Sequence, residues 1–236
     1  MKNVFRVIEA MRSIAVIAIV AVIGFSIAAC GEPKDDENDK GGDSGNTGLN
    51  AGSNGSLGPT VNVPEVQVYD IDESDNTVTV STRTINLDKY WSAEENNTSV
   101  SLSGIPGSSV KITSGKLTLK LGTPANLTTN ANDFINSMMT GVTVSDTTAK
   151  ILVIQGFTSS TDDSNADSLY CRNLENSCGA FLVYVDKSLT AKGTDNNSSI
   201  DLKLTAGWNI VFQDHDGAFS GNDLTGFNWY YRPASD

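Results

Sequence analysis

Side chains able to do chemistry are sparse in this chain, and their spacing decides what they can do. His215 is the only histidine; it lies in Gln213-Asp214-His215-Asp216-Gly217, directly after a predicted strand. An Asp-His-Asp turn can orient an imidazole. A hydrolytic triad also needs a framed nucleophile, and no Gly-x-Ser-x-Gly elbow accompanies it. The segment therefore reads as a solvated turn. Carboxylates are too plentiful, at 28 Asp plus Glu, to single out a general acid/base pair, which requires two carboxylates across one bond. No catalytic residue, no enzymatic activity and no cofactor are expected. Oxygen-rich loops offer weak calcium candidates: Asp70, Asp72 and Asp75 in Asp70-Ile71-Asp72-Glu73-Ser74-Asp75-Asn76, and Asp214 and Asp216, with Asp223 further on. Neither loop has EF-hand spacing, and each reads first as an ordinary hairpin connection.

Cys171 and Cys178 flank Arg172-Asn173-Leu174-Glu175-Asn176-Ser177. Six intervening residues are wrong for thioredoxin-like exchange, which wants two. In an oxidising compartment the pair is expected to form a structural disulfide, closing a short loop worth roughly 2.5 kcal/mol in the chain-entropy account.

The third cysteine has a different setting. Lys2, Arg6 and Arg12 precede an apolar run from Ile14 to Phe25, and Ser26-Ile27-Ala28-Ala29-Cys30 ends it. Gly31-Glu32-Pro33-Lys34-Asp35-Asp36 stops the run short of the ~20 residues that span a bilayer core, so a secretion signal is a better reading than a membrane helix. Ile-Ala-Ala-Cys is an apolar residue, two small ones and cysteine, the order of the bacterial lipobox. The segment thus resembles the signals of bacterial lipoproteins. That resemblance implies removal of residues 1–29, a diacylglyceryl thioether on Cys30 and an acyl group on its new amino end. Two or three chains of this kind make an anchor effectively permanent, where one gives only reversible binding.

Processing would remove three basic residues and one acidic one (Glu9), moving the net charge from −12 to −14. A chain this acidic, with no basic stripe, is not expected to bind nucleic acid. Cations and basic protein surfaces are better electrostatic partners. Residues 30–59 are rich in Gly, Asn, Ser and Asp, with Leu49 and Leu57 the only large apolar side chains. They are expected to be a disordered acidic tether with a reach of roughly 30 Å. Residues 60–236 then form a single domain.

Within that domain, apolar or β-branched residues alternate in Thr77–Thr82, Ser99–Leu102, Ser109–Thr113 and Lys116–Leu121. That is the period of a half-buried strand. Ile151–Ile154 and Phe181–Val185 are almost wholly apolar, as strands covered on both faces should be, and Ile200–Leu204, Trp208–Phe212 and Trp229–Tyr231 complete the set. Turn residues such as Ser114-Gly115 and Ala206-Gly207 lie between the runs. The expected fold is mainly β: an antiparallel β-sandwich, or partly closed barrel, with one short helix. Asn130 and Asp133 can cap that helix, Phe134, Ile135, Met138 and Met139 share a face, and Gly141 supplies a stop. Trp208 reads as core. Phe227, Trp229 and Tyr231 share one face of a closing strand and are expected to fill the core, with Tyr230 opposite.

Gly115–Leu119, Tyr184–Gly193 and Leu202–Asn209, with the signal run Val22–Cys30, are similar to lipoproteins of unknown function from treponeme-type spirochaetes. The likeness covers the signal and about half of the domain. It implies a β-rich exported domain and transfers no catalytic residue. The expectation is a lipid-anchored protein of the cell envelope, on the outer membrane, with the surface or periplasmic face left open. Its activity is expected to be non-enzymatic binding of a host or envelope protein or a glycan. A structural role in the envelope and a carrier of a small hydrophobic ligand, beside Met138 and Met139, are the alternatives.

Overall fold

In a computed structural model of the chain, the described residues are 47–72, 77–94, 98–159, 167–175, 177–195, 198–213, 219–220 and 225–234. The signal segment, Cys30, Asp75, Asp214, His215, Asp216 and Asp223 lie outside them. The described residues hold seventeen strands and one α-helix. The first eight strands are β1 (Ser56–Gly58), β2 (Val61–Asp72), β3 (Thr77–Val80), β4 (Ile85–Leu87), β5 (Lys89–Ser92), β6 (Thr98–Ser101), β7 (Ser109–Thr113) and β8 (Lys116–Leu121). Helix α1 (Ala131–Met138) and β9 (Val142–Val144) follow. The remainder are β10 (Ile151–Thr158), β11 (Ser168–Asn173), β12 (Cys178–Val185), β13 (Leu189–Asp195), β14 (Ser198–Leu204), β15 (Gly207–Gln213), β16 (Phe219–Ser220) and β17 (Asn228–Arg232).

These strands stack in three layers. The middle layer runs β1-β15-β12-β10-β11-β17-β2, antiparallel throughout except for the parallel pair β17 and β2. Strand β2 serves two layers. Its first half pairs with β8, and β8, β7 and β4 form the second layer, while Tyr69 to Asp72 stay in the middle sheet beside β3. A register shift between Val63 and Val66, around Pro64, bends the strand at the crossing. The third layer is the separate sheet β14-β13-β9 with α1.

Alternation along the middle strands supplies both cores. Ile154, Leu182, Ile210 and Phe212 face the first core with Val110, Ile112, Leu117 and Leu119 of the second layer. Ile151, Val153, Val183, Val185 and Val211 point the other way, into a second core with Ile135, Val144, Ala191 and Leu202. The near-continuous apolar runs of β10 and β12 have this cause: each face of these strands is covered. Among the described residues the fold is a mainly antiparallel β-sandwich with one short helix and no closed barrel.

The β7–β8 hairpin reaches across to the end of β3. Ser114 (φ 47°) and Gly115 (φ 75°) form its two-residue loop. A Cβ on Gly115 would sit 1.8 Å from the Ser81 carbonyl oxygen. Glycine permits this approach, and Gly115 then donates to the Arg83 carbonyl and accepts from the Val68 amide, both at 2.9 Å. The hairpin thereby pins the exit of β3.

Four expectations need correction. Residues 47–58 are part of the domain rather than of a tether: Thr47 and Leu49 are buried, Leu57 packs on the first core, and β1 pairs with β15. The apolar pair Leu49 and Leu57 is enough to dock a segment whose remaining residues are polar. Cys171 carries a free, buried thiol, so the expected bridge to Cys178 is not formed. In the β11–β12 ladder Cys171 faces Ala180 and Cys178 faces Asn173. The cysteines are therefore diagonal neighbours, typically ~7–8 Å apart at Cα, where a disulfide wants ~5.5–6 Å. Burial also pushes the Cys171 thiol well above its ordinary pKa, which leaves it inert. Strand β3 is exposed along all four residues instead of half-buried, because no other layer packs over it. Finally, α1 ends at Met138 and Met139 is extended, so Met139 enters the second core while Met138 is 52% exposed.

Candidate functional site

Two groups of polar and aromatic side chains meet where β3, β2, β17 and β11 run side by side. On the face toward the first core, Asp70 of β2 lies opposite Tyr231 of β17 and Thr79 of β3. Arg83 donates from Nε to Asp70 Oδ2 at 3.0 Å, and its guanidinium sits 5.2 Å from the Tyr231 ring centre. The Tyr231 hydroxyl donates to Asp167 Oδ2 at 3.2 Å. Asp167 is buried and accepts further hydrogen bonds from Thr158 Oγ1 (2.9 Å), Ser159 N (3.2 Å) and Ser159 Oγ (2.9 Å). Four donors on one buried carboxylate satisfy it without a metal or a substrate, so the cluster ties the ends of β10, β11 and β17 together. Burial, and then the charge of Asp167, hold the Tyr231 phenol far above its ordinary range.

That arrangement leaves Asp70 with one oxygen engaged and the other, Oδ1, buried without a hydrogen-bond partner. Arg83 takes Oδ2, and Asp72 sits exposed at the end of β2. Among the described residues no three Asp, Glu, His or Cys side chains come together as a metal would need.

The opposite face carries the second group. Register places Val80 beside Tyr69, Tyr69 beside Tyr230, and Tyr230 beside Tyr170, a row crossing β3, β2, β17 and β11. Ring centres are 5.9 Å apart for Tyr69 and Tyr230 and 6.4 Å for Tyr170 and Tyr230. Arg172 caps the row, its guanidinium 5.7 Å from the Tyr170 ring centre. Trp229, Tyr231, Leu169 and Val68 point inward from the same strands into the first core, which is why their alternate neighbours stand outward. No residue of β2, β3, β11 or β17 enters the second core, so the third layer stops short of this row. Tyr230 is wedged between its two neighbours and buried, whereas Tyr69 and Tyr170 are half-buried. Burial raises the Tyr230 pKa as well.

Of the residues picked out in the sequence, Phe227, Trp229 and Tyr231 fill the first core as expected, and Trp208 does too. Tyr69, Tyr170, Val78, Val80 and Arg172 had no signal beyond alternation with buried partners, because the row exists only once four strands distant in sequence are in register. A cleft of about 180 Å³ between β14 and β15, lined by Leu202, Leu204 and Ile210, falls below the ~300 Å³ at which small-molecule sites begin. Met139 is packed in the second core, so the helix opens no cavity for a hydrophobic ligand at that residue.

The buried phenols set a pH limit. Cys171, Tyr230 and Tyr231 all have folded pKa values raised above the unfolded ones of about 9 for the thiol and 10 for the phenols. Their contribution is complete below pH 9 and declines as pH rises, because the unfolded chain loses these protons first. A melting temperature that falls above pH 9, with a smaller fall above pH 10 in Tyr231→Phe, is the expected result; a flat profile to pH 11 would contradict the burial described.

The fold and the face together define a class: a three-layer β-sandwich presenting a cross-strand aromatic row. No family model, curated protein or solved structure matches this chain.

Proposed function

We propose that this chain is a lipid-anchored protein of the cell envelope, acylated at Cys30, whose β-domain is a non-enzymatic binding module. The contact surface is the outward face of β3, β2, β17 and β11, with Val78 and Val80 as its exposed apolar groups, the half-buried Tyr69 and Tyr170 beside them and Arg172 at its border. The observation that carries this reading is the cross-strand row Val80, Tyr69, Tyr230 and Tyr170 on a face the third layer does not cover. Tyrosine offers a large rigid surface with a polar tip at low entropic cost, which suits protein or glycan partners. The Asp167 carboxylate is saturated by four donors and the Cys171 thiol is buried, so these two groups offer neither a general acid nor a nucleophile for covalent chemistry.

The test is an array of host and envelope proteins and of glycans, probed with the parent chain and with Tyr69→Ala/Tyr170→Ala. Each half-buried tyrosine at the centre of a contact is worth ~2 kcal/mol, about 30-fold in affinity, so the double variant should lose its hits when probed at a temperature where its circular dichroism still shows the folded sheet. Hits that survive the double substitution would move the contact elsewhere. No hit at all would favour a purely structural role in the envelope. The anchor has its own check: palmitate incorporation by the parent and none by Cys30→Ser.

A further inference from the structure

Several basic groups of the domain sit beside an acid. Arg83 and Asp70, Lys89 and Asp88, and Lys192 and Asp201 lie 3.0 to 3.6 Å apart, and Lys187 and Asp146 share the Thr148 hydroxyl. Three lysines of the second layer lack such a partner. Lys111 of β7 and Lys116 and Lys120 of β8 are exposed, and among the described residues none of them makes an ion pair. Lys116 donates instead to the neutral Gln67 Oε1 at 2.8 Å.

Their placement follows from the ladder. Val110, Ile112, Leu117, Leu119 and Leu121 turn into the first core, so Ser109, Lys111, Thr113, Lys116, Thr118 and Lys120 form the outward face. Register sets Lys111 opposite Thr118, which makes it the diagonal neighbour of both Lys116 and Lys120, ~7–8 Å from each. The flanking strands add neutral amides: Asn86 opposite Lys111, Asn62 opposite Lys120 and Gln67 opposite Lys116. Across β4, β7, β8 and residues 61–67 of β2, Glu65 in the bulge is the sole acid. Three lysines against one glutamate leave two positive charges on this face of a chain whose net charge is −12.

The N-terminal side of the chain arrives at the same layer. A Cβ on Gly48 would lie 2.6 Å from Val66 Cγ1 and 2.9 Å from Val63 Cγ1, so the segment passes against the β2 bulge, beside β8. Sixteen residues separate Cys30 from Thr47. A Gly- and Ser-rich coil of that length spans roughly 20–25 Å, which holds the domain close to whatever holds Cys30.

We propose that the lysine face of the second layer docks on anionic lipid headgroups around the anchor, a contact that rests on acylation at Cys30. Charge decides which face turns to the lipid. Each lysine near an anionic leaflet favours contact about fivefold, so a net of two gives roughly 30-fold over neutral lipid. Acids of the third layer do not cancel this, because sheets stack ~10 Å apart and the field of the leaflet fades over ~8 Å. The tyrosine row stands on the side of the middle sheet turned away from the first core, and hence away from the lipid. Docking by the lysines thus leaves that row open to a partner.

Lysine acetylation reads the contact residue by residue. The unacylated chain beginning at Cys30 is coupled through that thiol to a maleimide lipid in vesicles of phosphatidylcholine, alone or mixed with phosphatidylglycerol. Cys171 and Cys178 are buried, so coupling is confined to Cys30. With phosphatidylglycerol present, Lys111, Lys116 and Lys120 are expected to react several-fold more slowly, while Lys192 of the third layer keeps its rate and high salt releases the three. In Lys111→Gln/Lys120→Gln, Lys116 should regain the rate it has on neutral lipid. Equal rates on the two lipids overturn the inference, as does slowing of Lys192 by the same factor or protection of Lys116 that survives the double substitution. Because this attachment is synthetic, a chain that docks here but takes up no palmitate in cells fails only the anchor reading, and one that takes up palmitate but shows equal rates fails only the docking.

Discussion

Trp208→Ala is expected to lower the unfolding free energy by about 3–5 kcal/mol, the range for deleting a buried tryptophan. Trp208 is fully buried in the first core, and its ring meets Tyr184 edge-on at 5.3 Å between centres. Its indole Nε1 donates to the Gly122 carbonyl at 2.9 Å, reaching from the middle layer to the chain leaving β8. Alanine therefore leaves a cavity and also strands an acceptor. The backbone around Gly122 cannot close in to compensate, because a Cβ there would already lie 1.9 Å from the Pro106 carbonyl oxygen. Urea titration measures the difference, and a loss under 1 kcal/mol would mean that Trp208 does not join these layers.

The second large effect concerns where the domain begins. A chain starting at Thr60 is expected to be less stable than one starting at Thr47 by about 3–5 kcal/mol, counting ~2 for the burial of Leu49 and ~1–3 for the abandoned donor of Trp229. Trp229 Nε1 donates to the Thr47 carbonyl at 2.9 Å inside the protein. Gly55 and Gly58 both take positive φ, and a Cβ on Gly55 would lie 2.5 Å from the Ile210 carbonyl oxygen, so the segment is pressed onto β15. Equal stability of the two chains would return residues 47–59 to the tether. Limited proteolysis gives an independent reading, with the first stable fragment expected to retain Leu49.

Legibility in the sequence is a matter of range. Alternation in Ser109–Thr113 and Lys116–Leu121 matches β7 and β8 residue for residue, and the Ser114-Gly115 signal between them is the turn observed. Asn130 caps α1 as its position suggests, accepting from Asp133 N at 3.1 Å. These are local matters, settled within a few residues. The errors came where partners are remote. Leu49 and Leu57 look isolated in a polar run, yet a docking site for them exists on strands more than a hundred residues away. The Cys171 and Cys178 spacing permits a bridge, but register sets them diagonally. The tyrosine row was half visible: Tyr230 alternates with Trp229 and Tyr231, so its outward direction could be read, while its neighbours Tyr69 and Tyr170 depend on a parallel pairing of β17 with β2 that no local pattern encodes.

That parallel pairing also decides how the protein bears force. Strand β2 receives the chain from the N-terminal side at Val61, and β17 delivers it toward the C-terminus at Arg232, with Trp229, Tyr230 and Tyr231 beside Val68, Tyr69 and Asp70. Pulling the two ends apart drags adjacent parallel strands in opposite directions along their length. Their hydrogen bonds are then loaded together in shear instead of opening one after another, and rupture becomes a matter of unfolding rate. Tension applied ahead of Thr47 first meets a weaker element, the three-residue β1 with its irregular register on β15. A molecule held at one end would thus yield a short length of chain under modest load while its sheet holds.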